Sequence, residues 1–121
     1  MNIEMNTLEI GVKRINLVGR LDLEGTAQVA NTFTIFAATE KSAVLIDMSG
    51  VDFIASIGMQ MLVKEASALF RRGEKMGLLQ PTPPVEQALR TAGIDQIVPI
   101  YADADSACTA LLAEVKLNPT V

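Results

Sequence analysis

Ala43-Val44-Leu45-Ile46-Asp47-Met48-Ser49-Gly50-Val51-Asp52-Phe53-Ile54-Ala55-Ser56-Ile57-Gly58-Met59-Gln60-Met61-Leu62 is the stretch whose reading decides the fold. Its first four residues are apolar without alternation, which predicts a central strand covered on both faces. From Asp47 to Ala55 the chain reads as a polar loop, with Ser49-Gly50 as turn chemistry, and it then passes through Ser56 into a helix. Open α/β sheets place their sites in loops leaving the carboxyl ends of such strands, so this loop is the expected functional edge. Backbone N–H groups at a helix start point outward unpaired and accommodate an anion, including a phosphate carried by the serine itself. Read more plainly, Ser56 is a helix N-cap worth roughly 1 kcal/mol over alanine. Gly58, in the first turn, costs helix stability and points to close packing beside the loop.

Downstream, Met59, Leu62, Val63, Ala66, Leu69 and Phe70 keep helical spacing until Arg71-Arg72-Gly73 ends the helix with two cations and a glycine. Lys75 to Leu79 reads as a short strand, closed by the proline-rich Gln80 to Pro84. Thr82-Pro83 is an N-cap and first-turn signature for a helix carrying Val85, Ala88, Leu89 and Ala92 on one face and stopping at Gly93. Ile97 to Ile100 reads as an edge strand, the one place where Pro99 is tolerated. Ala104, Ala107, Cys108, Leu111, Leu112 and Val115 then mark the buried stripe of a last helix, with Cys108 as a small structural apolar group. A frayed tail is expected at 117–121.

Upstream, Ile3 and Met5, then Ile15 and Leu17, alternate with polar neighbours, which predicts a hairpin turning near Gly11. Gly19 should close the second strand, and Asp22 should cap a helix running to about Thr39. Val29, Ala30, Phe33, Phe36 and Ala37 form its apolar stripe. The order is β-β-α-β-α-β-α-β-α, an α/β fold with a mainly parallel sheet of four to five strands, four helices and an antiparallel first strand at one edge.

With 121 residues, half of them apolar, the chain suits one compact domain, expected over 1–116. A net charge of −4 supplies no basic stripe for nucleic acid. No run approaches the roughly 18 apolar residues of a membrane span, and the N-terminus lacks a signal peptide's basic start and apolar core, so a cytoplasmic protein is expected. One cysteine and no histidine disfavour internal disulfides, metal centres and Ser-His or Cys-His catalysis. Glycine-rich phosphate loops, CxxC and GxSxG are absent, and no cofactor is expected. Asp47 invites comparison with the phospho-acceptor of a receiver domain, but neither Gly11 nor Val18-Gly19 supplies the further carboxylates that would hold magnesium. Asp47 and Asp52 as a catalytic pair are disfavoured too, being ordinary solvated acids of a loop. The protein is therefore not expected to be an enzyme.

Gly19-Arg20-Leu21-Asp22, the strand Val44 to Met48, the loop Ser49 to Ile54, and Ser56-Ile57-Gly58-Met59, taken in order, resemble the STAS domain family of sulfate transporters and anti-sigma factor antagonists. The resemblance spans essentially the whole chain. It implies that Ser56 is the phospho-acceptor of an anti-sigma factor antagonist. Unphosphorylated, such a protein binds an anti-sigma factor, usually a serine kinase of the histidine-kinase-like ATPase class, and so frees a sigma factor. The kinase breaks the complex by phosphorylation and a phosphatase resets it. The implied docking surface comprises Asp22, Ser49, Asp52, Ala55, Ser56, Ile57, Gly58 and Met59. Ala55 stands where the family usually has aspartate, and Ile57 where it often has serine or threonine. These departures keep a second implication open, a standalone STAS subunit that steadies a membrane transporter's ATPase without phosphorylation. Nucleotide binding, also proposed for STAS domains, has no phosphate-cradling motif here.

Overall fold

The computed structural model describes the backbone of residues 1–116 and the side chains of residues 1–112. The expected tail at 117–121 and the place of Val115 on its helix stripe lie outside the described residues. The elements follow the order β1 (Asn2–Glu9), β2 (Val12–Leu21), α1 (Leu23–Ala38), β3 (Ala43–Ile54), α2 (Ser56–Arg71), β4 (Met76–Leu79), α3 (Pro83–Thr91), a short 3-10 turn (Ile94–Gln96), β5 (Ile100–Tyr101) and α4 (Ala104–Lys116). The strands lie side by side in the order β1-β2-β3-β4-β5. Only β1 is antiparallel to its neighbour, as expected of a hairpin whose turn needs the left-handed backbone of Gly11 (φ 88°).

Two apolar layers flank the sheet. On one face Ile15, Leu17, Val44, Ile46, Met48 and Leu78 pack with Phe33 of α1, Leu62 and Leu69 of α2, and Val85 and Leu89 of α3. On the other, Val12, Leu45 and Leu79 pack with Ala107, Cys108 and Leu111 of α4. The unbroken apolar run of β3 follows from this. Val44, Leu45 and Ile46 alternate between faces, and each is fully buried because both faces are covered. Cys108 is buried as expected, and that burial, reinforced by Glu9, pushes its thiol up to about 11.

Several boundaries differ from the sequence reading. β2 runs through Gly19 to Leu21 rather than stopping at the glycine, because its partner β3 continues alongside it. The edge strand is Ile100–Tyr101 rather than Ile97 to Ile100. Ile94–Gln96 closes a 3-10 turn, and Pro99 contributes only its carbonyl, which accepts from the Leu78 N–H at 2.8 Å. Phe70 and Ala92, read as core-facing, are exposed, whereas Met61, outside the expected stripe, is buried.

Phe33 is fully buried at the centre of the larger layer. Phe33→Ala should therefore cost about 3–5 kcal/mol, read as a lower urea midpoint with an unchanged slope.

Candidate functional site

β3 is longer than its partner β4, with which it pairs only from Val44↔Met76 to Asp47↔Leu79. Beyond Asp47 it stays extended because β2 continues to pair with it, from Val18↔Gly50 to Leu21↔Ile54. The expected loop from Asp47 to Ala55 is thus mostly strand. Ser49-Gly50 is not a turn either. It lies at an irregularity where the register steps from Asn16↔Asp47 to Val18↔Gly50. There Asp47 Oδ1 accepts from the Ser49 N–H at 3.0 Å and from its hydroxyl at 2.7 Å. A second irregularity falls between Gly19↔Val51 and Arg20↔Phe53, which leaves Asp52 unpaired and exposed.

The two strands end together. The Ala55 N–H donates to the Leu21 carbonyl at 2.9 Å, and α2 starts at the next residue. Ala55, not Ser56, is the N-cap, and it has no side-chain acceptor to offer. The expected capping role of Ser56 is therefore replaced by a place inside the first turn, where its side chain is exposed. Gly58 is needed for closeness. A Cβ there would sit 2.9 Å from the Leu21 Cβ and 3.0 Å from its carbonyl oxygen.

Asp22 caps α1, accepting from the Gly25 N–H at 2.8 Å, and its other oxygen lies 3.5 Å from Arg20 Nε. The Gly25 N–H first, and then Arg20, hold the carboxyl below the ordinary carboxylate range. The Arg20 guanidinium in turn stacks 4.4 Å from the centre of the Phe53 ring.

One corner thus gathers Asp22, Ala55, Ser56, Ile57 and Gly58. Met59, half-buried, lines an adjoining groove of about 440 Å³ with Ser56, Val63, Lys64, Ala92 and Ile94. Ser49 does not join them, lying roughly 20 Å back along β3 with its hydroxyl engaged by Asp47. Asp47 is half-buried and faces Arg14 at 3.9 Å, so it makes no pair with Asp52. Sequence reasoning missed Arg20, Leu23 and Phe53. Leu23 is 72% exposed, Phe53 39% and Ile57 37%, so large apolar groups stand in solvent at this end of the sheet. Leu23 directly after a capping aspartate, in the first turn at the border of the α1 stripe, was the available signal.

The family model for the STAS domain matches residues 7–107. The chain belongs to the STAS domain family. Among solved structures, this STAS domain is similar to an anti-sigma-factor antagonist (STAS) domain protein from Planctomyces limnophilus, with 25% identity, 90% of this chain and 96% of that one covered, and a TM-score of 0.79. It also matches the anti-sigma factor antagonist SpoIIAA in its unphosphorylated form, with 16% identity, coverage of 98% and 100%, and a TM-score of 0.73. The murine anion transporter Solute Carrier 26 family member A9 matches at 20% identity and a TM-score of 0.74, over 85% of this chain but 18% of the transporter. The latter two show the fold alone. No curated protein matches the chain in sequence. Among the described residues, no helix of this STAS domain is long and apolar enough to cross a membrane.

A carboxyl held below its ordinary range stabilises the fold while ionised, and that contribution disappears as pH falls through the depressed value. Thermal midpoints measured between pH 5 and 2 should therefore fall less in Asp22→Asn than in the wild type, since the amide oxygen still accepts from Gly25 and does not titrate in that window. Parallel curves would mean that Asp22 is not so engaged.

Proposed function

We propose that this STAS domain is an anti-sigma factor antagonist whose docking edge is the corner built from Asp22 and from Ala55 to Met59, with Ser56 as its switch. The observation that carries the reading is the position of Ser56. Its hydroxyl is exposed in the first turn of α2, beside the exposed Leu23, Phe53 and Ile57, where a partner surface would press. Ser49 and Asp52 extend the edge along β3, with Ser49 the more remote. The partner is an anti-sigma factor that is also a serine kinase of the histidine-kinase-like ATPase class. Its binding to the unphosphorylated domain releases a sigma factor.

In the switching step the Ser56 oxygen attacks the γ-phosphorus of ATP on the kinase. The bond from that phosphorus to the bridging oxygen breaks, ADP leaves, and the hydroxyl proton passes to a base of the kinase. The domain gains about −1.5 to −2 charges at an edge that was uncharged at Ser56 and apolar at its neighbours. Desolvating that charge against a partner is costly, so the complex separates. A phosphatase removes the group and resets the domain. The domain contributes only the acceptor, which fits a non-enzymatic regulator acting in the cytoplasm.

A second reading has its own support. Ala55 supplies no carboxylate beside Ser56, Ile57 is apolar and exposed, and the same fold forms part of a membrane anion transporter. On that reading the edge holds a transporter's ATPase subunit permanently and Ser56 is only a contact.

Incubation with ATP and the anti-sigma factor kinase encoded in the same genome, followed by phosphopeptide mass spectrometry, should place the phosphate on Ser56. A label elsewhere, or none, would favour the transporter reading. In calorimetric titration against that kinase, Ser56→Asp should bind at least about tenfold more weakly, a difference of about 1.4 kcal/mol, while Ser56→Ala stays near wild type. Equal affinities would exclude Ser56 as the switch.

A further inference from the structure

β1 is the outermost strand of the sheet, and among the described residues no strand pairs with its outer edge. The N–H and C=O groups on that side are a template for a further strand. Natural edges are blunted by proline, by lysine or by a covering element. Asn2–Glu9 contains neither residue, and its pairing with β2 is regular over residues 2–7, up to the step in register between Thr7 and Glu9.

The flank of α1 stands over this edge. At one end the Met1 nitrogen donates to Gln28 Oε1 at 3.2 Å. At the other, Lys13, the β2 partner of Thr7, donates to the Phe36 carbonyl at 2.6 Å. The row Gln28, Thr32, Phe36 therefore looks over β1, with Ile35 beside it, while Thr34 turns the other way to Glu65 of α2. Ile35 is 63% exposed, and Ile3, Met5 and Phe36 are only half-buried. The flank also lacks charge. From 25 to 39 the chain holds no Asp, Glu, Lys or Arg, although Ala27, Gln28, Asn31, Ile35 and Ala38 all stand in solvent. By contrast α2 exposes Lys64 and Arg71, and α3 exposes Arg90. A solvated helix normally carries charges on its outer face, and their depletion marks the core of a protein interface. The occupant follows from the sign. A chain of net charge −4 repels its own copy on average, and this flank is free of that repulsion.

We propose that two copies of the chain join β1 to β1, antiparallel about a two-fold axis through Met5, with their α1 flanks side by side above the joint. Such an interface uses the same patch on both copies. Directly opposed residues share a face of the sheet, so Ile3 meets Thr7 of the second copy, Met5 meets its counterpart, and Glu4 meets Asn6. An axis through Glu4 would instead set two carboxylates against each other, which is destabilising. α1 stands between β1 and α2, so the joint leaves the Ser56 corner free and holds whether or not that corner is a switch.

Sedimentation velocity on the full-length protein from about 5 to 500 μM should show a reversible monomer–dimer equilibrium, the range suited to a small interface. Amide exchange over residues 2–7 should slow as the concentration rises. Ile35→Glu, at an exposed position, should weaken the dimer at least about tenfold. Asn6→Glu, also exposed, brings a carboxylate against Glu4 of the second copy and should weaken it about three- to tenfold, whereas Asn6→Lys should tighten it by a similar factor at low salt. A monomer at every concentration, a dimer indifferent to Ile35→Glu, or equal affinities in Asn6→Glu and Asn6→Lys would overturn the proposal.

Discussion

The parallel pairing of β2 with β3 runs from Val12↔Ala43 to Leu21↔Ile54 and closes with the hydrogen bond from the Ala55 N–H to the Leu21 carbonyl. Both strands therefore stop at one level, and each turns at once into a helix, α1 after Asp22 and α2 after Ala55. Two helix starts can share such a corner only if side chains are missing where backbone meets backbone. Gly25 and Gly58 provide this, since a Cβ on the first would lie 1.9 Å from the Arg20 carbonyl oxygen and on the second 3.0 Å from that of Leu21. The docking edge follows from that constraint. With the backbones drawn together, Leu23 and Ile57 remain in solvent, and Phe53 stays partly exposed beneath the Arg20 guanidinium.

Polar side chains tie the helices to the sheet and to one another. Lys13, buried at the start of β2, donates from Nζ to the Phe36 carbonyl near the end of α1 at 2.6 Å, and burial lowers its pKa. Thr34 of α1 donates to the buried Glu65 of α2 at 2.6 Å, tying the two helices that begin at the site. Thr82, ahead of α3, uses its hydroxyl on the Val51 carbonyl at 3.1 Å rather than on its own helix, which fastens α3 to the far part of β3. Each bond removes a desolvation cost and restricts the packing to arrangements that keep the partners together.

The two ends of α2 differ in character. At Ser56 the helix meets apolar groups without a neighbouring carboxylate at Ala55, so a single new charge changes the surface strongly. At Arg71 it meets a cleft walled by Met76, Tyr101 and Leu111. A charge added at one end lies well beyond the Debye length of the other at physiological salt, so the two surfaces are electrostatically independent.

Much was legible from residue order alone. The unalternating Ala43 to Ile46 marked the central strand, the Gly11 hairpin placed the one antiparallel pair, Asp22 announced its cap, and spacing located all four helices. These are signals of local periodicity and of turn chemistry, which reside in short windows. The ordered motifs around Asp22 and Ser56 also pointed to the STAS family. What only the tertiary structure decided was pairing between distant segments. Ser49 to Ile54 looks like a loop because Ser49-Gly50 has turn chemistry and Asp52 interrupts its apolar residues, yet β2 holds it extended, carrying Ser49 away from the corner and leaving Asp52 bulged. Ser56 looked like a cap, but the Ala55 to Leu21 hydrogen bond starts the helix one residue earlier and frees the hydroxyl. The cleft at Arg71 likewise depends on how short β5 is beside β4, because a strand's length is set by the neighbour it finds and not by its own sequence.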